Sequence, residues 1–263
     1  MNMDIAFSPC PNDTFIFHAL THREIDIKPY AFEPVIEDVE EMNGRAFLLK
    51  HAVTKLSFGA YLKLKDRYAL LDSGSALGFG CGPLLVAKEG CKSLEKARIA
   101  IPGRYTTAFL LLQLRYPELT NFSFVRFDEI LPGIAAGLFD AGLIIHEGRF
   151  VYPSYQCVEV LDLGKWWEEQ TGLPIPLGCI AIRLDMLAHK KDIEDLIRES
   201  IEYATHNPAA SRDFIKVHAQ ELDEDVVRQH ISLYVNKFSL SLGETGRQAI
   251  ITLEEKARCC GIL

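Results

Sequence analysis

Residues 98–146, RIAIPGRYTTAFLLLQLRYPELTNFSFVRFDEILPGIAAGLFDAGLIIH, decide the fold class. Short runs rich in β-branched residues alternate here with longer runs whose apolar positions recur at helical spacing. We predict strands over 98–101, 122–127 and 141–146, with helices between them. Strands that alternate with helices favour an α/β fold built on parallel sheets.

The N-terminal part of the chain repeats this alternation, with strand patterns over 3–7, 51–56 and 82–87. After Asp185 the sequence is predicted to be helical to its end. A charged connector follows the last of these strands, and the pattern begins again at Arg98. Two α/β series separated in this way favour two lobes over one continuous sheet.

The composition indicates an ordinary globular protein whose surface does not suit nucleic acid. The 263 residues, 48% of them hydrophobic, suffice for one large core or two moderate ones. The net charge of -8 and the sequence pI near 5.5 argue against a nucleic-acid partner, because binding to phosphates needs clusters of Lys and Arg. No apolar run approaches the roughly 18 residues of a membrane span, so we expect no membrane partner.

The N-terminal segment MNMDIAFSPC has no basic region followed by a long apolar run, and we therefore expect a cytoplasmic protein. The seven cysteines are scattered without a C-x-x-C pair, which favours reduced thiols over disulfides or a zinc site. Neither H-E-x-x-H nor the phosphate-loop pattern G-x-x-x-x-G-K-[ST] occurs. The sequence therefore predicts no catalytic metal and no nucleotide cofactor.

Three strand-to-helix turns are dense in small polar residues: 8–14, 54–57 and 102–107. A helix N-terminus leaves backbone N–H groups unpaired and carries partial positive charge, so such turns hold small anions. The alternative is that these residues only cap helices, which is their commonest role; Asp13, for instance, is a predicted N-cap. Three turns around one crevice would form a site for a carboxylate.

His146 follows the apolar run AGLII at the carboxyl end of a predicted strand. Ligands of open parallel sheets bind beyond these strand ends, and an imidazole changes charge near neutral pH. The alternative is a histidine that closes the strand and bonds to a loop carbonyl. His51 is the second candidate. Lys55 and Arg104 are candidates for holding a substrate carboxylate, although either is also compatible with a solvated surface charge.

Seven stretches occur in order along the chain: SPCPNDTFIF (8–17), EPVIEDVE (33–40), TKLSFGAY (54–61), PGRYTTAFLLL (102–112), AGLIIHEGRF (141–150), LGKWWEEQTGLPIPLG (163–178) and YVNKFSL (234–240). Together they resemble the 1,4-dihydroxy-6-naphthoate synthases of the futalosine route to menaquinone. The resemblance extends from residue 4 to about residue 246. SPCPNDTF and LIIHE are specific as a set, whereas PGRYTTA alone also resembles the sibling chorismate dehydratases.

The resemblance implies a two-lobed α/β fold of the type II periplasmic-binding-protein kind, with two mainly parallel sheets flanked by helices and a cleft between the lobes. The first lobe would comprise residues 1–92 and 184–263, and the second residues 93–183. Hinge strands are expected near 87–96 and 178–183. Such a hinge lets a cleft close around a substrate and exclude water.

The resemblance also implies a carbon–carbon lyase that converts cyclic dehypoxanthine futalosine to 1,4-dihydroxy-6-naphthoate without a redox cofactor. His146 would be its general base. The implied substrate contacts are Thr54, Lys55, Leu56 and Ser57 in one turn, Thr106, Thr107 and Ala108 in another, and Ser8 and Asn12 by analogy.

Two other functions share this fold: a small-anion solute-binding protein without chemistry, and chorismate dehydratase. An exported binding protein normally carries a signal segment, and the product formed from each substrate distinguishes the two enzymes. The sequence leaves open the oligomeric state, the extent of lobe movement and the group that orients His146. It also leaves open whether Lys55 or Arg104 pairs with the substrate carboxylate.

Overall fold

The computed structural model describes residues 1–90, 93–219 and 223–263. Its strands are β1 (Asn2–Phe7), β2 (Ala31–Ile36), β3 (Val53–Ser57), β4 (Tyr68–Leu70), β5 (Ala76–Gly78), β6 (Leu84–Lys88), β7 (Ile99–Ile101), β8 (Phe122–Phe124), β9 (Ala141–Ile144), β10 (Cys157–Asp162) and β11 (Ile175–Arg183). Its α-helices are α1 (Pro11–His22), α2 (Val39–Ala46), α3 (Phe58–Tyr61), α4 (Thr107–Arg115), α5 (Ile130–Ala135), α6 (Gly148–Val151), α7 (Leu163–Thr171), α8 (Lys190–His206), α9 (Arg212–His218), α10 (Glu224–Tyr234), α11 (Lys237–Leu240) and α12 (Gly243–Cys259).

The strands form two sheets, one in each lobe. The first sheet has the order β2-β1-β3-β11-β4, with β5 also paired to β11. The second has the order β10-β6-β9-β7-β8. Helices flank both sheets, so the prediction of two α/β lobes is confirmed.

The prediction of mainly parallel sheets needs a correction. Strands β2, β1 and β3 run parallel, as do β8, β7 and β9, but β11 is antiparallel to β3, β4 and β5. Strand β6 is likewise antiparallel to β9 and β10. Each of these two exceptions is the first strand after the chain crosses between sheets. An apolar pattern indicates that a strand is buried but not in which direction it runs, so the sequence did not reveal the antiparallel pairing of β6 and β11.

The crossings between the sheets also differ from the expected boundaries. Strand β6 pairs within the second sheet and β11 within the first, so the chain passes between sheets over 79–83 and again over 163–174. The expected boundaries were residues 92 and 183, of which residue 92 lies outside the described residues. A fully buried strand suits either sheet, and its sequence alone does not assign it to one of them.

Helix α1 connects the core of the first lobe to the edge where β1 and β3 end. It is buried along most of its length, since it contacts β2, α8, α9 and α10. Phe7 at the end of β1 stacks on Phe17, with ring centroids 4.6 Å apart. The Ser200 hydroxyl of α8 donates to the Ile16 carbonyl at 2.6 Å. These contacts fix the start of α1 at the carboxyl edge of the parallel strands.

Two glycines allow the connecting segments of the lobes to meet. A Cβ on Gly82 would lie 2.2 Å from the Cα of Gly164, so no other residue fits there without movement of the backbone. Gly82 precedes β6 and Gly164 lies in the first turn of α7, so the two crossings run side by side. Arg149 donates to the Gly82 carbonyl at 2.7 Å and also pairs with Asp162.

Among the described residues after β11, all regular structure is helical, as the sequence predicts, from a 3₁₀ turn at Leu184–His189 through α8 to α12. Within the described residues, no helix combines the length and the apolar character needed to cross a bilayer. A cytoplasmic location stays a prediction.

Candidate active site

A cavity of about 80 Å³ lies between the lobes. The predicted residues in its wall are Ser8, Asn12, Lys55, Ser57, Thr106, Thr107, Ala108 and His146. The three polar turns therefore meet at one place, next to His146. Ligand pockets usually measure about 300–1,000 Å³, so this closed form has to open to admit a substrate.

Two predicted contacts, Thr54 and Leu56, lie away from the cavity. Side chains alternate along β3, and Lys55 and Ser57 take the face toward the cavity. The Thr54 hydroxyl donates to the Lys55 carbonyl at 3.1 Å, and Leu56 belongs to the apolar core. Of the four successive residues, only Lys55 and Ser57 therefore line the cavity, and their contact with a substrate stays a prediction.

Asp13 is the centre of a polar cluster on the first lobe. The sequence predicts it as the N-cap of α1, but Cys10 takes that position and Asp13 lies three residues further on, fully buried. Lys55 Nζ and Asn12 Nδ2 donate to its Oδ1 at 2.6 and 2.8 Å. Ser8 donates to Oδ2 from its hydroxyl at 2.7 Å and from its backbone at 3.2 Å. Both carboxylate oxygens are thus held in one orientation.

Lys55 brings a positive charge to the cavity wall, and Asp13 balances it. Both side chains are buried. A buried ion pair of this kind offsets its desolvation cost only when further hydrogen bonds satisfy the charged groups. The hydrogen bonds that Asp13 accepts from Ser8 and Asn12 meet this condition. Gly178 of β11 makes room for the lysine, because a Cβ there would lie 3.0 Å from Lys55 Cε. An ammonium has three donors, so Lys55 retains capacity to bind a substrate carboxylate.

Arg104, the other candidate for that carboxylate, lies outside the cavity. It is exposed, and its guanidinium carbon stands 4.5 Å from the centre of the Phe124 ring. A cation over an aromatic face is a favourable surface contact and explains this position without a ligand. Of the two candidates, only Lys55 reaches the cavity wall.

His146 comes two residues after β9 and adopts φ +55°, a conformation that is uncommon for residues other than glycine. The side chain is half-buried. Its ring meets the edge of Phe127, with centroids 5.0 Å apart, and stacks at 6.3 Å on His230. Among the described residues, no hydrogen bond to the His146 ring is found. Ring packing therefore orients the imidazole, and its nitrogens remain available to a ligand.

The surroundings of His146 keep its imidazole neutral. Burial lowers the pKa of His146 to about 4; the Asp13 carboxylate opposes this shift, and the Lys55 ammonium adds to it. At pH 7 the ring therefore carries no charge and can accept a proton. Its conjugate acid readily returns that proton.

His230 is a second histidine at the site, which the sequence analysis did not select. It is almost fully buried, and its Nε2 lies 2.9 Å from Asn12 Oδ1. Asn12 already donates its amide N–H to Asp13, so its oxygen must accept, and His230 Nε2 carries the proton. Burial lowers the pKa of His230 well below its usual value, with smaller contributions from His146 and Lys55. A signal was present: Val226, Val227 and Tyr234 flank His230 at helical spacing and predict a buried face.

The start of α4 supplies the polar groups of the second lobe. The Thr106 hydroxyl caps this helix by accepting from the Phe109 N–H at 3.2 Å. The Thr107 hydroxyl donates to the Leu177 carbonyl at 2.6 Å and accepts from the Gly59 N–H at 3.1 Å, so it joins the two lobes. In the described part of the chain, the backbone N–H groups of Thr107 and Ala108 have no acceptor. Unpaired N–H groups at a helix N-terminus can bind an anion, and the anion site expected here stays a prediction.

Two other titratable groups in the wall do not suit proton transfer. Burial raises the pKa of the Cys81 thiol to about 12, and it raises the pKa of the Tyr234 phenol even further. Both groups therefore stay protonated near pH 7, which excludes them as bases. His51, the second candidate, pairs with Asp4 at 2.7 Å next to β3 and does not line the cavity.

A larger groove, of about 510 Å³, runs between α1, α8, α9 and α10. Its floor is mainly apolar, with Phe15, Ile215 and Ile231, and at its rim Lys216 already pairs with Glu224 at 2.7 Å. The small cavity is the better candidate because buried polar groups and a histidine with a perturbed pKa converge there. Across residues 1–90, 93–219 and 223–263, no cluster of three or more His, Cys, Asp or Glu side chains is arranged to hold a metal ion.

Comparisons of the sequence with known families and proteins give one consistent result. A family model described as menaquinone biosynthesis matches residues 3–258. A 1,4-dihydroxy-6-naphthoate synthase of Thermus thermophilus is 48% identical over 259 residues, which cover 98% of this chain and 94% of that protein. A protein of the same name from Streptomyces coelicolor is 40% identical over 267 residues, covering 99% of this chain and 94% of the relative.

Solved structures agree on the fold. A crystal structure of a protein from Archaeoglobus fulgidus superposes with a TM-score of 0.94 at 38% identity, covering 100% of this chain and 98% of that one. The alkanesulfonate-binding protein of Xanthomonas axonopodis has a TM-score of 0.72 at 14% identity, covering 100% and 94% of the two chains. The second likeness shows the fold alone, that of periplasmic binding proteins.

Proposed function

Because the chain belongs to the menaquinone biosynthesis family, we propose that it is a carbon–carbon lyase that converts cyclic dehypoxanthine futalosine to 1,4-dihydroxy-6-naphthoate. One observation carries this proposal. His146 presents a neutral imidazole, without a hydrogen-bond partner among the described residues, to a cavity that also holds the Lys55 ammonium. A base and an anion-binding group thus face the same space.

In the proposed reaction His146 removes a hydroxyl proton from the sugar-derived part of the substrate. The oxygen electron pair forms a carbonyl while the adjacent carbon–carbon bond breaks, and the ring that keeps the bonding electrons becomes aromatic. The Asp13 carboxylate favours the imidazolium that forms. The imidazolium then returns its proton to the products. The step conserves oxidation state, so we propose no redox cofactor.

Binding in this proposal depends on groups from both lobes. Lys55 and the N–H groups at the start of α4 hold the substrate carboxylate, since a cation and a helix N-terminus both stabilise an anion. Ser57 donates its hydroxyl to a second polar group of the substrate. The partner of the protein is therefore a small organic acid. Lobe closure over this acid excludes water from the reaction.

The sibling chorismate dehydratase and a solute-binding protein are the competing functions, the latter because the fold is that of binding proteins. Purified protein is incubated separately with cyclic dehypoxanthine futalosine and with chorismate, and products are identified by mass spectrometry. We expect many turnovers to 1,4-dihydroxy-6-naphthoate from the first and no change in the second. Conversion of chorismate, or stoichiometric capture of either compound without product, would overturn the proposal.

A further inference from the structure

The lobes meet at a carboxylate that comes from α2. The Glu40 side chain crosses the gap and accepts the Tyr105 backbone N–H, at 3.0 Å to Oε1 and 3.2 Å to Oε2. Tyr105 lies in the turn before α4, so this hydrogen bond connects the first lobe to the second. A bond between an N–H and a charged carboxylate is stronger than one between neutral groups.

Gly103 makes this contact possible. A Cβ on Gly103 would lie 2.4 Å from Glu40 Cδ and 2.5 Å from Oε2. The Glu40 carboxylate thus occupies the space that any other residue at position 103 would need. A protein carboxylate thus accepts the Tyr105 N–H at this turn, whereas the N–H groups of Thr107 and Ala108 have no acceptor among the described residues.

Asn43 connects Glu40 to the cavity. Its Nδ2 donates to Glu40 Oε2 at 3.1 Å and to Ser57 Oγ at 3.1 Å, and its Oδ1 accepts from the Ser57 N–H at 2.9 Å. Asn43 is fully buried, so this geometry excludes water. Because the Ser57 oxygen accepts from Asn43, the serine proton is directed toward another acceptor.

We propose that Glu40 and Asn43 are positioning residues that couple closure of the lobes to the Ser57 hydroxyl. When the Tyr105 N–H docks on Glu40, the carboxylate is fixed and holds the Asn43 amide in the orientation that aligns Ser57. When the lobes part, Glu40 loses its donor from the second lobe and the alignment relaxes. The role of Ser57 as a substrate contact rests on the proposed function, whereas the contact between Glu40 and the second lobe does not.

A double-mutant cycle tests the coupling. In Gly103→Ala the new methyl group displaces the Glu40 carboxylate, and in Glu40→Ala the carboxylate is absent. Each variant is expected to raise KM about 10- to 100-fold with kcat changed less than about threefold. The misaligned Ser57 hydroxyl would weaken binding of the substrate and of the transition state equally. The double variant should raise KM no further than the more severe of the two single variants does. Multiplicative losses would contradict the proposal, because the two residues would then act separately.

Gly44→Ala is the matched control, because it adds the same methyl group to α2 where nothing lies within 4 Å. It should retain the KM of the original protein. Glu40→Gln keeps one carbonyl oxygen within reach of Tyr105 and Asn43, and it should recover most of the affinity lost in Glu40→Ala. Equal losses in the Gln and Ala variants would exclude Glu40 as an acceptor.

A second measurement separates failure of the coupling from failure of the proposed function. Small-angle X-ray scattering gives the radius of gyration of each protein without substrate. Gly103→Ala should be more expanded than both the original protein and Gly44→Ala, because it loses the hydrogen bond from Tyr105 to Glu40 that holds the lobes together. If the original protein makes no naphthoate, the proposed function fails, yet this comparison still decides the role of Glu40. Identical radii in all three proteins would refute it.

Discussion

The two walls of the cavity differ in how their central titratable side chains, Asp13 and His146, are held in place. On the first lobe, Asp13 accepts four hydrogen bonds and balances the charge of Lys55. On the second lobe, His146 is held by ring contacts with Phe127 and His230, without a hydrogen bond to its ring among the described residues. The ion pair on the first lobe thus has its hydrogen bonds within the protein, whereas the His146 base on the second lobe remains available to a ligand.

The difference follows from the cost of burial. A buried charge without a partner costs several kcal/mol, so the Lys55 and Asp13 charges must be paired before any substrate arrives. A neutral imidazole tolerates a missing partner better and stays reactive because of it. In the proposed reaction, Lys55 of the first lobe therefore binds the substrate together with the start of α4, and His146 of the second lobe supplies the base.

The largest effect is expected at the free base. His146→Asn should lower kcat about 10² to 10⁴-fold, the usual contribution of a general base, and leave the substrate Kd within about threefold. Asn is the informative replacement because it tolerates the positive φ at this position. His206→Asn, at an exposed histidine bonded to its own helix, is the control. Near-normal turnover in His146→Asn would remove the imidazole from the mechanism.

The next largest effect is expected at the Lys55–Asp13 ion pair on the first lobe. Lys55→Met leaves the Asp13 carboxylate buried without its cation, and the free energy of unfolding should fall by about 3–5 kcal/mol in urea titrations. Adding Asp13→Asn removes the unpaired charge and should restore part of that stability, but not the affinity for substrate. If Lys55→Met keeps its full stability, the carboxylate does not depend on this ion pair.

The pH dependence of kcat/KM should report the enclosed base. His146 works only when unprotonated, and burial lowers its pKa to about 4, so the rate should stay level from about pH 8 to about pH 5 and decline below. A histidine with an ordinary pKa of about 6.5 would lose about tenfold by about pH 5.5. Assays at constant ionic strength measure the profile. A falling limb centred near pH 6.5 would indicate an open, solvated histidine instead.

The smallest effect is expected at Arg104. Its guanidinium packs on Phe124 outside the cavity, so Arg104→Ala should change KM by less than about twofold. Steady-state kinetics beside Lys55→Met compare the two candidates for the carboxylate directly. A larger rise in KM for Arg104→Ala than for Lys55→Met would reverse the assignment.

Local sequence patterns predicted the position of those site residues that follow the ends of strands. His146 follows a buried strand, and the carboxyl ends of parallel strands meet at one edge of a sheet, so its position was predictable. The polar turns before α1 and α4 met at the cavity for the same reason. Strand direction was less accessible, because the apolar runs of β6 and β11 are compatible with either orientation.

Contacts between distant segments escaped prediction. Lys55 lies 42 residues from Asp13, and His230 lies 218 residues from Asn12, so neither pair produces a local pattern. The contact of Glu40 was equally inaccessible, since the Tyr105 N–H that it accepts belongs to the other lobe. The first two pairings depend on packing within the first lobe and the third on how the two lobes meet, and periodicity encodes neither.

A crystal structure of His146→Asn with cyclic dehypoxanthine futalosine would show whether residue 146 faces the hydroxyl that loses its proton. We expect the intact substrate between the lobes, with its carboxylate at Lys55 and the start of α4, and with a hydroxyl of its sugar-derived part within about 3.5 Å of the residue 146 side chain. Substrate bound in the groove between α8 and α10, or turned so that this hydroxyl lies far from residue 146, would contradict this expectation.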